Sequence, residues 1–275
     1  FVFGTFARRR SVTGEEVELL DQPAPLPRAE GHWFPQRPAL IVLMYGAMGL
    51  AVLAKGPVGL VLPTAVIGMF LLIQRLPSLT NDLDSKDETG ELRQLMLPQW
   101  FYNALRPFAP LHFLQTCWAM APITAIVMVL IVAGPWYAAV GVQTDGEWLR
   151  GFFVDHNLRR AGESLEGHRG FIGFYPVMLI AGFLPWSIFA VPVAIETGRR
   201  LARKDPWQPG YLLAVCWIGV YVCLFSVART KLLNYILPCF PAAALRVGAF
   251  VDRWLAGKLV VARWWHAISF AVLML

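Results

Sequence analysis

The chain has 275 residues, 57% of them hydrophobic, and a mean hydropathy of +0.53. A water-soluble domain of this length would not carry so much apolar residue, because its surface must face water. The net charge of +6 does not mark a nucleic-acid binder, since the basic residues cluster beside apolar runs, as topology signals do.

Residues 1–6 read as the end of a helix begun upstream, closed by Arg8, Arg9 and Arg10. Residues 267–275 read as the start of another span, so the expectation is a segment cut at both ends. Between them, residues 38–73 form one long apolar run. As a single helix it would measure about 54 Å, against a hydrocarbon core of about 30 Å. Lys55-Gly56-Pro57 interrupts it. An unbroken helix would bury Lys55 near the bilayer centre, which costs about 3 kcal/mol or more. A helical hairpin with spans 38–54 and 58–73 puts Lys55 at an interface instead.

Residues 76–110 are polar, with Asp82, Asp84, Lys86, Asp87, Glu88 and Glu91, and read as a cytoplasmic linker. A short interfacial helix is expected around Trp100-Phe101-Tyr102. Further spans are expected over 116–134, 171–195, 210–228 and 235–250. Pro122, Pro176, Pro185, Pro192, Pro238 and Pro241 lie in these segments, where neighbouring helices can satisfy the carbonyls a proline frees. The fold class is therefore an all-α, polytopic integral membrane bundle of about six complete spans, with a truncated span at each end.

The spans sort the polar segments onto two sides. One side holds the clusters Arg8-Arg9-Arg10 and Arg199, Arg200, Arg203 and Lys204 at helix ends, and is assigned to the cytoplasm. The other holds Lys55-Gly56-Pro57, the loop 135–170, and Arg229-Thr230-Lys231 followed by Asn234 and Tyr235. The loop 135–170 carries Arg150, Asp155-His156-Asn157, Arg159-Arg160, Glu163, Glu166 and His168-Arg169. Each cation alone reads first as a side chain snorkelling to headgroups. Their convergence on one face, beside broken helices, suits a phosphate or pyrophosphate at headgroup level.

His156 and His168, with acidic neighbours, form a candidate for a divalent metal, although their spacing matches no compact zinc pattern. Glu147, Asp155, Glu163 and Glu166 are candidate general bases, none singled out. Cys117, Cys216, Cys223 and Cys239 lie in apolar stretches without ligand spacing and read as small core residues.

Several short motifs stand out along the chain. They are Leu53-Ala54-Lys55-Gly56-Pro57-Val58-Gly59-Leu60 with Pro63, Gly134-Pro135-Trp136-Tyr137, and His156-Asn157-Leu158-Arg159-Arg160 followed by Gly167-His168-Arg169-Gly170. Phe174-Tyr175-Pro176, Leu184-Pro185-Trp186-Ser187, and Phe225-Ser226 with Thr230-Lys231-Leu232 and Tyr235-Ile236-Leu237-Pro238 complete the series, with Pro241 beyond it. Together these motifs resemble family 39 glycosyltransferases, which include the protein O-mannosyltransferases and, closer to this chain, the bacterial aminoarabinose transferases that modify lipid A. Two departures stand out: Ala161 replaces the family's phenylalanine after Arg160, and Arg159 adds a cation.

The resemblance implies a C-type membrane glycosyltransferase in the plasma (inner) membrane. Such an enzyme transfers a sugar, with inversion, from a polyprenyl-phosphate carrier to an extracytoplasmic lipid, glycan or protein. It implies that Lys55, Arg160 and Lys231, with Arg229, hold the carrier phosphate, and that His156, His168 and Tyr235 line the same cavity. The family's catalytic aspartate is expected upstream of Phe1. The implied partners are the carrier and membrane lipids, with no nucleic acid. Two other readings remain: a lipid or sugar transporter, which would show inverted repeats, and a non-catalytic scaffold, which would leave the polar cluster unexplained.

Overall fold

The computed structural model describes residues 33–76, 105–158, 171–203, 207–228, 231–259 and 265, without the side chains of 155–158 and 203. All lie within His32–Leu275, the second of the chain's two units. The terminal segments 1–6 and 267–275 and most of the linker fall outside the described residues.

Helix α1, Pro38–Lys55, opens with proline in its first turn, where the missing N–H would have no partner anyway. Its end is set by Gly56, whose φ of 73° is open to glycine and whose N–H bonds the Val52 carbonyl at 2.7 Å. Pro57 then starts α2, Val58–Gln74. The two helices fold back on each other: Trp33 meets Phe70 edge-on at 6.1 Å, and Tyr45 and Met48 share a buried cluster with Phe70 and Leu71. A continuous helix would hold these groups far apart. The turn is tight enough that a Cβ at Gly59 would lie 2.4 Å from the Ala51 backbone.

The span expected over 116–134 is displaced. A short helix α3, Pro110–Ala119, is followed by Ala121, which is left-handed with φ 51°. Helix α4 then runs Pro122–Gln143. Pro122 therefore begins a helix, and Pro135, expected to open the extracytoplasmic loop, lies inside one. The last residues of the expected linker are likewise helical: a 3-10 turn at Arg106–Phe108 leads into α3 at Pro110. His112 Nε2 lies 2.9 Å from the Leu72 carbonyl, fastening α3 to the end of α2.

Helices α1 and α4 run in the same direction. Gly46 faces Met128, Gly49 faces Val132, and the Tyr137 hydroxyl donates to the Val52 carbonyl at 2.8 Å. A Cβ at Gly49 would come within 2.9 Å of Val132 Cβ. This is the close approach that small residues give membrane helices. At the other end the buried Tyr45 hydroxyl donates to the Met120 carbonyl.

Beyond α4 come a short helix α5, Glu147–Arg150, and a π-helical turn, Gly151–Leu158. The segment expected as one span over 171–195 is instead two pieces. Helix α6, Phe174–Gly182, and the stretch Trp186–Ala202 meet at a bend of 114°. A 3-10 turn at Trp186–Phe189 leads into α7, Ala190–Arg203. Helix α8 is Gln208–Val227. It runs antiparallel to α2, with Leu62 and Val66 clustered with Tyr221 and Phe225, and Phe70 and Leu71 with Leu212 and Cys216. A 3-10 segment, Leu233–Cys239, continues into α9, Phe240–Leu255.

Four stretches are long and apolar enough to cross a membrane: Pro38–Lys55, Pro122–Gln143, Gln208–Val227 and Leu233–Leu255. The bent pair makes a fifth, and α2, with 17 residues, is about 26 Å long, slightly less than a hydrocarbon core. Leu43, Ile123, Leu130, Ile131 and Leu245 are exposed and apolar, a surface suited to lipid. The described residues contain helices and no strand, so their backbone groups are satisfied within each segment, as a span in lipid needs.

Candidate functional site

The break at Lys55-Gly56-Pro57, the end of α4, the start of α6 and the segment after α8 all lie at one end of the bundle. Two contacts fix this. Val58, three residues past Lys55, packs against the cluster of Tyr175, Tyr221, Phe225 and Ile236. Tyr137, near the end of α4, bonds Val52 near the end of α1.

Lys231 is the most constrained cation here. It is buried, and its Nζ donates to the carbonyls of Phe225 at 2.9 Å and Ser226 at 2.7 Å. These are carbonyls of the last turn of α8, which have no partner within the helix. A cation there also meets the negative end of the helix dipole. The ammonium stands 5.4 Å from the centre of the Tyr175 ring, within cation–π range. Two of its three N–H donors are thus directed to protein carbonyls, and one is left for a ligand. Desolvation by burial holds the Lys231 pKa below the ordinary lysine value.

Tyr175 positions this cation. Its hydroxyl accepts from the Leu232 N–H at 3.0 Å and reaches the Leu232 carbonyl at 3.3 Å. The fully buried ring therefore grips the backbone beside Lys231 and presents its face to the ammonium. Tyr235 is half-buried and stacks on Phe225 at 4.6 Å. The buried Ser226 hydroxyl has no hydrogen-bond partner among the described residues.

A second wall is aromatic. Trp136 meets Trp148 edge-on at 5.0 Å, Trp148 stacks on Phe152 at 4.8 Å, and Tyr137 touches Phe153 at 5.3 Å. Through the Tyr137–Val52 bond this wall is tied to the helix that ends in Lys55. Lys55 itself is exposed.

Of the residues singled out in the sequence, Lys231 and Tyr235 both contact Phe225, and Lys55 stands at the same end of the bundle. Arg160, Arg229 and His168 lie outside the described residues, and His156 is described in its backbone alone. Among the described residues no group of three or more His, Cys, Asp and Glu side chains could hold a metal. Of the cysteines, Cys216 and Cys239 are buried, whereas Cys117 and Cys223 are exposed on the apolar exterior. Tyr175 was legible as part of Phe174-Tyr175-Pro176, but nothing local connects it to Lys231.

No protein-family model matches the chain. Curated relatives do. The chain is 31% identical over 218 residues to the undecaprenyl phosphate-alpha-4-amino-4-deoxy-L-arabinose arabinosyl transferase of Aeromonas salmonicida (strain A449), covering 78% of this chain and 32% of the relative. The protein of the same name from Pectobacterium carotovorum subsp. carotovorum (strain PC1) is 32% identical over 128 residues, covering 46% of this chain and 22% of the relative. The chain thus spans a third or less of the length of these relatives. Among solved structures, the crystal structure of ArnT from Cupriavidus metallidurans bound to undecaprenyl phosphate aligns with a TM-score of 0.53 and 24% identity, over 81% of this chain and 33% of that one. This likeness establishes the fold, a C-type membrane glycosyltransferase bundle. The resemblance carried by the sequence motifs is borne out by both comparisons.

Proposed function

From this similarity to the membrane aminoarabinose transferases, we propose that the protein is a glycosyltransferase that takes its sugar from a polyprenyl-phosphate carrier. The donor class is the one in the relatives' name, undecaprenyl phosphate bearing 4-amino-4-deoxy-L-arabinose. Transfer takes place at the extracytoplasmic face of the inner membrane, onto a hydroxyl-bearing acceptor. The observation that supports this most directly is the buried Lys231 ammonium, held over Tyr175 with a donor to spare at the end of the bundle that carries Lys55.

The chemistry requires such a group. The acceptor oxygen attacks the anomeric carbon as the bond from that carbon to the phosphate oxygen breaks. The configuration inverts, and the carrier phosphate leaves with the electron pair. A carboxylate base takes the acceptor proton. Negative charge grows on the departing phosphate, and fixed cations in a site poor in water stabilise it more than they stabilise the bound donor. Lys231 supplies one such charge, with Arg160, Arg229 and Lys55 contributing the rest. Tyr235, His156 and His168 line the cavity. Should a divalent metal take part, His156 and His168 would be its imidazole ligands.

The test is transfer of radiolabelled sugar from polyprenyl-phosphate donors in membranes that contain the full-length protein. Lys231→Ala and Arg160→Ala should each lower transfer by about 100-fold or more, with unchanged amounts of protein in the membrane. Wild-type turnover in both variants would sink the assignment. A transporter would instead move label across the membrane without attaching it to an acceptor.

A further inference from the structure

At the opposite end of the bundle a charged cluster is buried among three helices. Glu196, Thr197 and Arg200 come from α7, Tyr211 from α8, and Arg246 and Arg253 from α9. Glu196, Thr197, Arg200 and Arg246 are all buried. Arg200 Nε donates to Glu196 Oε1 at 2.7 Å, and Arg253 Nε stands 3.5 Å from the same oxygen. One carboxylate is therefore shared by two guanidiniums.

Arg246 is arranged differently. Its guanidinium lies over the Tyr211 ring, 3.5 Å from the centroid, and donates to the Thr197 hydroxyl. Among the described residues no carboxylate comes within ion-pair distance of it. Its Nε is buried and has no hydrogen-bond partner among the described residues. Glu196 also acts on Arg246 at longer range, but its carboxylate is bonded to Arg200 and shared with Arg253, so one negative charge serves three guanidiniums. A buried cluster with excess positive charge is unfavourable unless an anion from outside completes it.

The location indicates which anion. Tyr211 lies one turn inside the Gln208 end of α8, at the depth where lipid headgroups meet the bundle. Lys231 follows the other end of that helix, so the two sites are separated by about 24 Å along its axis. The helices that carry the cluster also expose apolar side chains: Ile195 on α7, and Leu245 and Leu255 on α9. A phosphate with acyl chains attached satisfies both features. The head meets the guanidiniums, and the chains cover the apolar flank.

We infer that Arg246, with Arg253 beside it, forms a binding site for the phosphate of an anionic phospholipid in the leaflet opposite the transfer site. The site is independent of the proposed glycosyl transfer, because its residues take no part in holding the carrier. Such basic pockets between membrane helices suit lipids that carry phosphodiester charge without a compensating amine.

The experiment uses the full-length protein, purified in detergent and stripped of lipid. Cardiolipin, phosphatidylglycerol, phosphatidylethanolamine or inorganic phosphate is then titrated in. Native mass spectrometry counts the bound lipid, and thermal unfolding reports the stabilisation. Cardiolipin and phosphatidylglycerol should bind and raise the unfolding temperature in the wild type, and phosphatidylethanolamine should not. Arg246→Gln should weaken anionic lipid binding by about tenfold or more, and Arg246→Lys should retain part of it. If Arg246→Gln does not fold, Arg253→Gln decides, with a smaller loss expected because this arginine is half-buried and nearer the helix end. Wild-type lipid binding in the variant that folds overturns the site. Equal stabilisation by inorganic phosphate overturns the lipid as its occupant.

Discussion

The ammonium of Lys231 lies 5.4 Å from the centre of the Tyr175 ring, while the hydroxyl of the same tyrosine is bonded to the backbone of Leu232. One side chain thus sets both the position of a cation and its surroundings. The charge is confined on one side by the aromatic face and on another by the carbonyls of Phe225 and Ser226.

The pH dependence follows from that confinement. Burial disfavours the charged ammonium, so Lys231 loses its proton below the ordinary lysine value of 10.5. Donor binding should therefore fade as pH rises through this lowered pKa. Folding stability should move the other way over the same window. Between the folded and unfolded pKa values the unfolded chain binds more protons, so stability rises with pH. Donor-binding titrations and thermal melts on one preparation separate the two slopes. Lys231→Arg should carry the loss of binding to higher pH, because arginine keeps its charge.

Tyr175→Phe removes the hydroxyl and retains the ring. It leaves the Leu232 N–H without its partner, which should destabilise the protein by about 1–2 kcal/mol. Donor affinity should fall modestly. Tyr175→Leu removes the aromatic face as well and should lower donor affinity further. Thermal unfolding and donor binding, measured for both variants, test the order wild type, Phe, Leu.

The hairpin supplies a contrast between glycines. A Cβ at Gly59 would sit 2.4 Å from Ala51 backbone atoms, which cannot give way as a side chain can, whereas a Cβ at Gly134 would meet nothing within 4 Å. Gly59→Ala should destabilise by about 1–3 kcal/mol or more. Gly134→Ala should be neutral or stabilise by up to about 1 kcal/mol through helix propensity. Unfolding midpoints in detergent distinguish the two.

The two ends of the bundle can be labelled separately. Cysteines introduced at Lys55 and Asp145, both exposed at the end bearing Lys231, should react with a membrane-impermeant maleimide added from one side. A cysteine at Arg75, exposed after α2, should react from the other. Reaction of all three from a single side would rule out the hairpin topology.

The sequence was most informative where a local break coincided with a charge. Lys55-Gly56-Pro57 combines a cation, a glycine at positive φ and a proline, and together they argue against a continuous span. Proline alone was ambiguous. Pro122 looked internal to a span and in fact begins α4, whereas Pro135 looked like a loop residue and lies within that helix. Both placements are permitted, because a membrane helix accepts proline at its first turn and in its body when neighbours compensate. In the same way, nothing local distinguishes Pro185, near the 114° bend, from Pro176, inside α6. For Lys231 the sequence showed a cation at a helix end but could not show its burial, which depends on Tyr175 from a distant helix. Arg246 is likewise a charge within an apolar segment, and its partners Thr197 and Tyr211 belong to other helices, which no local pattern shows.

The bend between α6 and α7 also bears on how the protein is made. Helix α6 has nine residues and is about 13 Å long, less than half of a hydrocarbon core. After the bend the chain continues into α7, whose polar residues include Glu196, Arg199 and Arg200. Neither piece can be released into lipid as an independent span when it leaves the ribosome. The groups that hold them, Leu232 for Tyr175 and Arg246 for Thr197, are synthesised later. This stretch therefore gains the partners that hold its bend only once α8 and α9 have been made.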